Sequence, residues 1–348
     1  MSNIKDANPI LVQSIRGQIV ESFHRGVVCV VNRNKEVVYS LGDIEQVCYP
    51  RSSMKFFQHI PFFARGGAEH FGLTLEEVAV ICSSHNGENK HIETVRNILS
   101  KGGFTEDDLE CGPQMPELFK DQESLIKSGV KPGKIHNNCS GKHTGFLLFC
   151  KLLGVDHKHY ISPEHPIQKI IAETCSRFYE TPLLTTAIGI DGCSAPIIAY
   201  SVYKQAVAYK NLIHPDGFSI EEQKACELLV KAVTSYPYMI AGSKRYCTEL
   251  MEVAGDKVVG KTGADGVYCM SIFREGLGCC IKVDDGKMGI QYVIAQALLS
   301  DSGLISQEQA DKLKRFVQYE TKNFGGFVVG EVRANPEVSF SIKKPQSV

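Results

Sequence analysis

Ser52 and Lys55 stand three positions apart in Tyr49-Pro50-Arg51-Ser52-Ser53-Met54-Lys55-Phe56-Phe57. On a helix starting near Arg51 this spacing puts both side chains on one face. A serine hydroxyl becomes a strong nucleophile when a base removes its proton. A lysine amine can be that base only when neutral, and burial among apolar groups disfavours the ammonium form. Met54, Phe56 and Phe57 are placed to supply such burial. The chemistry open to the pair is attack on a carbonyl carbon with formation of an acyl-enzyme. Ser-x-x-Lys is also common on ordinary helix turns, so it gains weight only from company. Ser84-His85-Asn86 supplies a Ser-x-Asn, and Lys261-Thr262-Gly263 follows the strand-like Lys257-Val258-Val259.

Alternation of apolar and polar residues predicts three early strands, at Gln18 to His24, Val27 to Asn32 and Glu36 to Leu41, with Arg33-Asn34-Lys35 turning between the last two. Ser52 to about Ala68 reads as a helix stopped by Gly66-Gly67. Thr74 with Glu77 and Ser219 with Glu222 form capping boxes at two further helix starts. His91 to Lys101 and His165 to Phe178 are amphipathic helices, and Ser84 falls on a polar loop. Residues 104 to 134 read as irregular. Strands return at Lys257 to Lys261, Val267 to Phe273 and Leu277 to Val283, followed by a helix from Lys287 to Leu299 and a short strand at Val328 to Val332. The layout is α/β of the α+β type. An antiparallel sheet from the terminal segments, residues 10–50 and 255–335, carries an inserted helical part, residues 51–254, in a single catalytic domain spanning 1–348.

The 348 residues are 43% hydrophobic and 22% charged, enough for an ordinary globular core. A net charge of −1 and the lack of a basic cluster with interleaved aromatics exclude a field that would draw nucleic acid or a membrane surface. The polar stretch Met1 to Pro9 has no apolar signal core, and no apolar run is long enough to span a bilayer. The 13 cysteines are odd in number and irregularly spaced, which suits reduced thiols in a cytoplasmic protein.

Ser52-x-x-Lys55, Ser84-x-Asn86 and Lys261-Thr262-Gly263, in that order, match the three signatures of β-lactamase and penicillin-binding enzymes. Gly42-Asp43-Ile44-Glu45, Pro50 to Lys55, Ser84-His85-Asn86-Gly87-Glu88, His136 to His143, Asp191-Gly192-Cys193 and Lys261-Thr262-Gly263-Ala264 together resemble the class 3, rhizobial-type L-asparaginases, the asparaginase II family. The likeness runs from about residue 10 to about residue 335. It implies a fold resembling serine β-lactamases and glutaminases. It also implies a hydrolase that releases ammonia from the L-asparagine side-chain amide, acting as a homodimer.

Carried over by motif, the resemblance implies two Ser–Lys pairs, Ser52 with Lys55 and Ser84 with Lys261. Ser52 attacks the amide carbon, Lys55 takes its proton, and Ser84 with Lys261 relays a proton to the departing ammonia. Two lysines in one site disfavour each other's charge, so one stays neutral. The backbone N–H of Ser52 is a natural oxyanion donor. A zwitterionic substrate needs a cation for its α-carboxylate, for which Arg51 and His85 are candidates, and acceptors for its ammonium, for which Glu88 and Asp191 are candidates. The resemblance further implies a zinc ion held by Cys139, Lys142 and Cys193, with Asp191 near enough to help through a water and His136 and His143 as alternative ligands. Cys-x-x-Lys is no standard zinc spacing, so the residues alone would leave both cysteines in the core. Rival readings are a glutaminase, peptidase or esterase of the same Ser-x-x-Lys kind, and a zinc- or amino-acid-binding protein without turnover.

Overall fold

The computed structural model describes residues 7–342, so the first six residues of the polar amino-terminal stretch lie outside the described part. In chain order the strands are β1 (Ile10–Arg16), β2 (Ile19–Val31), β3 (Val37–Leu41), β4 (Val47–Cys48), β5 (Ile188–Ile190), β6 (Pro196–Ile198), β7 (Tyr200–Ser201), β8 (Val258–Gly263), β9 (Val267–Ile272), β10 (Leu277–Val283), β11 (Tyr319–Lys322) and β12 (Val328–Ala334). The fold is mixed α/β, with an antiparallel sheet and helices, and the chain divides into two units. Among the described residues one holds 7–53, 200–214 and 253–342; the other holds 54–199 and 215–252.

The first unit is built on an eight-stranded sheet in the order β11-β12-β1-β2-β10-β9-β8, with β3 beside β2 and every pairing antiparallel. Strand β2 holds the sheet together. Its first half pairs with β1, and its second half, the fully buried run Val27–Val31, pairs with β10 and β3. Sequence reading expects two strands here, divided near Arg25-Gly26, but the chain runs straight through. A Cβ at Gly26 would lie 2.4 Å from the Lys282 carbonyl oxygen, so the glycine permits close strand approach instead of a turn.

Both faces of the inner strands are covered, which is why they read as continuous apolar runs. Tyr268 of β9 meets Tyr292 of the helix Ile290–Asp301 edge-on at 5.8 Å between ring centroids. Its neighbour Cys269 points the opposite way, as strand pleating requires. There the helix Val202–Ile213 covers β10 so closely that a Cβ at Gly278 would lie 2.1 Å from the Ala206 carbonyl oxygen. Sequence reading leaves this helix in the helical part; its Ser201 cap and the packing of Ala206, Tyr209 and Gln205 onto the sheet return it to the terminal segments.

The second unit is helical. The 3-10 turn Arg51–Met54, whose first three residues belong to the sheet unit, leads into the wholly buried helix Lys55–Phe63. The long helix expected from Ser52 to Ala68 is thus cut at both ends, by this turn and by Gly66, whose φ of 74° only glycine adopts without cost. Around Lys55–Phe63 pack Ser140–Leu153, Pro166–Phe178 and Ile220–Ser235, and Leu75–Ile81 packs in turn on the first and last of these. The Thr74/Glu77 and Ser219/Glu222 capping boxes form at the expected helix starts. Within 104–134 the structure contains a helix that sequence reading misses, Phe119–Ser128, which buries no residue fully.

Candidate active site

Lys55 opens its helix with a side chain only 1% exposed. Its Nζ donates to the Ser83 carbonyl oxygen at 2.5 Å and meets Ser84 Oγ at 2.9 Å. The Ser–Lys contact found within the helical unit is therefore Lys55 with Ser84, where the family resemblance implies pairs of Lys55 with Ser52 and of Ser84 with Lys261. A buried amine placed on a hydroxyl at this distance can exchange a proton with it directly.

Ser84 is fixed by the loop's backbone donating to the last two carbonyls of the helix Pro237–Ala241. Ser84 N donates to the Ile240 carbonyl, and Asn86 N donates to the Ala241 carbonyl, both at 2.9 Å. Asn86 also accepts from Arg245 at 2.8 Å. Nothing in the sequence marks residues 240–245 as partners of the Ser84 loop, because the pairing is non-local and its acceptors end a helix of only five residues.

His85 and Glu88, read as substrate groups, are both engaged by the protein. Gly87 N donates to His85 Nδ1 at 3.0 Å, so the proton sits on Nε2 and is donated to Ser140 Oγ at 2.9 Å. Burial, helped by the neighbouring His91 and Lys55, keeps this ring well below the usual imidazole range. At neutral pH His85 is an uncharged brace between the Ser84 loop and the start of the helix Ser140–Leu153. Glu88 accepts from Ser243 N at 2.7 Å, from Ser243 Oγ at 2.8 Å and from Asn86 at 3.2 Å. Burial raises its carboxyl, but these donors outweigh it and hold the group below the usual range.

A second cluster in the same unit brings together residues 54 positions apart. Cys139 precedes Ser140–Leu153, Lys142 lies in its first turn, and Asp191 and Cys193 sit on the turn between β5 and β6. Lys142 Nζ donates to Cys193 Sγ at 2.9 Å, and that sulfur is 3.9 Å from Asp191 Oδ2. Cys139, Lys142 and Cys193 are all under 5% exposed. The Cys139 thiol hydrogen-bonds Cys193 and, with the Lys142 charge, lowers Cys193 to about 5 against the opposing effect of burial. Burial pulls Lys142 down, but Cys193, Cys139 and Asp191 outweigh it and raise the amine. The arrangement is a buried ammonium–thiolate pair with a second thiol beside it.

Among the described residues no group of three or more His, Cys, Asp or Glu is arranged to hold a metal. The set that converges here has a lysine in place of a third such ligand. Two sulfurs, a lysine nitrogen that gives up its proton on binding, and a nearby carboxylate are nevertheless donors that suit zinc. Each of the alternative ligands has its Nδ1 engaged by another group. His143 Nδ1 faces Tyr160 Oη at 2.7 Å, and His136 Nδ1 accepts from Gly133 N at 3.0 Å. His143 Nε2 is buried without a hydrogen-bond partner.

Arg51, Ser52 and Lys261 belong to the sheet unit. Arg51 adopts φ 54°, a left-handed conformation that a non-glycine residue holds only under restraint, and its guanidinium pairs with Asp265 on the β8–β9 turn. Ser52 follows on the 3-10 turn. Lys261 is 1% exposed on β8 and lies directly opposite Cys269 of β9. Gly263 of the Lys-Thr-Gly run comes so close to Pro50 that a Cβ would lie 2.3 Å from the Pro50 carbonyl oxygen. That contact is the structural reason for glycine at the third position of the motif.

The model of a family described as L-asparaginase II matches residues 12–334. No curated protein matches the chain. Among solved structures, one of Mglu in its tris and glutamate form aligns at 13% identity and a TM-score of 0.43, covering 84% of this chain and 63% of that one. A β-lactamase from Mycobacterium bovis aligns at 15% identity and a TM-score of 0.39, covering 79% of this chain and 94% of its own. A class C β-lactamase from Rhodobacter sphaeroides aligns at 14% identity and a TM-score of 0.36, covering 84% and 93%.

Proposed function

The chain belongs to the L-asparaginase II family; from that premise we propose that it is a hydrolase acting on amides, which converts L-asparagine to L-aspartate and ammonia through a serine-bound acyl intermediate. The observation that carries the serine chemistry is the 2.9 Å contact between the buried Lys55 amine and the Ser84 hydroxyl. In this reading Ser52 Oγ attacks the side-chain amide carbon and Lys55 accepts its proton. The C–N bond then breaks as Ser84 and Lys261 deliver a proton to the leaving ammonia. Water reverses the sequence and releases aspartate. Arg51 binds the α-carboxylate, and Asp191 accepts from the α-ammonium. Glu88 and His85 support the loop that carries Ser84.

Cys139, Lys142 and Cys193 are the residues that would hold a zinc ion, with Asp191 beside them. When bound, the metal supplies a local positive charge that binds or orients a carbonyl or carboxylate group and braces the β5–β6 turn. Among the described residues no helix is long and apolar enough to cross a membrane. A cytoplasmic homodimer acting on a small molecule completes the proposal.

The same contact supports a second assignment, in which Ser84 is the nucleophile and Lys55 its base. Acid-quenching the enzyme during turnover of L-asparagine, followed by peptide mass mapping, separates the two: the aspartyl ester sits on the peptide containing Ser52 or on the one containing Ser84. L-Glutamine, run in parallel, tests the rival substrate. One methylene in a pocket discriminates by only about 1–3 kcal/mol.

A further inference from the structure

The turn that presents Ser52 is strained at Arg51, and strained backbone persists only where its surroundings over-determine it. Ser53, immediately after Ser52, is 0% exposed and is tied on three sides. Its Oγ donates to the Pro50 carbonyl at 2.8 Å, and its own carbonyl accepts from Tyr209 Oη at 2.7 Å. Cys269 Sγ donates to Ser53 Oγ at 3.5 Å. Tyr209 is itself 0% exposed, and its backbone carbonyl accepts from Ser271 Oγ at 2.6 Å.

These ties share one origin. Cys269 and Ser271 project from the same face of β9, two residues apart. Cys269 is directly opposite Lys261 in the β8–β9 pairing. Gly263 of β8 abuts Pro50, and Asp265 of the connecting turn pairs with Arg51. The hairpin that carries Lys261 therefore also grips the Ser52 turn, and Tyr209 adds a hydrogen bond from the helix laid over that hairpin. A buried tyrosine hydroxyl needs some partner. Here the partner is the backbone one residue beyond the proposed nucleophile.

We infer that Tyr209 and Ser53 are positioning residues for the amide hydrolysis, holding the Ser52 turn in fixed register with the strand that bears Lys261. The inference deepens the proposed function and rests on its reading of Ser52 as the catalytic serine. Neither side chain is assigned a contact with substrate. Their loss should therefore misplace the attacking oxygen without removing a binding group, and misplacement on the ångström scale is enough to slow chemistry strongly.

The test is steady-state ammonia release from L-asparagine by the full chain and by Tyr209→Phe, Ser53→Ala and Ser52→Ala, with Tm measured on each. Tyr209→Phe is expected to lower kcat about tenfold with KM within about twofold of the parent and an unchanged pH profile. Ser53→Ala should show the same split, and it decides alone should Tyr209→Phe fail to fold. If Ser52→Ala is inactive but both other variants keep the parent kcat, with any loss of kcat/KM coming only from a rise in KM, the inference is overturned while the proposed function stands. If Ser52→Ala retains turnover, the reading of Ser52 and this inference fall together.

Discussion

Gly263→Ala adds one methyl group at the point where the Lys-Thr-Gly strand meets the Ser52 turn. The new Cβ would lie 2.3 Å from the Pro50 carbonyl oxygen and 2.9 Å from Val267 Cβ. Ordinary contact begins near 3.4 Å, so the turn and the hairpin must part by about 1 Å. Neither neighbour can yield cheaply. The Pro50 carbonyl also accepts from Ser53 N at 3.2 Å and from Ser53 Oγ at 2.8 Å, and Val267 is paired with Gly263 in the β8–β9 ladder. Overpacking of this kind costs about 1–3 kcal/mol. A domain of this size loses roughly 2–4 °C in Tm per kcal/mol. A 1 Å misplacement of a reacting group can cost about 100-fold in rate. Calorimetry and ammonia-release kinetics on Gly263→Ala should therefore show a Tm lowered by a few degrees and a kcat reduced by about two orders of magnitude. A variant with the parent kcat and Tm would refute the argument that this glycine is required by the approach of Pro50.

Lys55→Met keeps the length and apolar stem of the side chain but removes the amine from Ser84; turnover should fall by at least about 1,000-fold, in line with losing a general base that activates a nucleophile, while circular dichroism stays native. His91 predicts a pH effect. Burial lowers its ring from 6.5 to about 4, so between those values the unfolded chain binds a proton that the folded chain refuses. Stability should fall as pH drops through that window, by up to roughly 3 kcal/mol from this group. Urea titrations of His91→Gln should show the fall reduced by about one proton, and an unaltered slope would reject the assignment. For the metal, protein purified without chelator should carry about one zinc per chain by atomic absorption. The Cys139→Ser, Cys193→Ser double variant should carry none, and equal zinc in both would place any ion elsewhere.

The parts legible in the sequence are those fixed by local chemistry. Thr74 with Glu77 and Ser219 with Glu222 signal helix starts because the cap needs only residues three apart. Strands β8, β9 and β10 are read nearly to the residue because burial on both faces makes them uninterrupted apolar runs. The helix Phe119–Ser128 escapes notice because it buries no residue fully and Pro113, Pro116 and Pro132 flank it. The contact between Lys55 and Ser84 is invisible to motif spacing, since 29 positions separate them and the Ser84 loop is set by non-local bonds to Ile240, Ala241 and Ser140. His85 and Glu88 look like substrate groups in sequence because polar residues beside a reactive serine usually invite that reading. Their partners Ser140 and Ser243 lie 55 and 155 positions away. Cys139, Lys142 and Cys193 come from family likeness, and no spacing rule would have joined them.

The measurement that bears most directly on the central claim is ammonia release from L-asparagine by the purified, zinc-supplied protein, with Ser52→Ala beside it. The account predicts release by the parent and loss of that release by orders of magnitude in the variant. No release by the parent, or equal release by both, would contradict it.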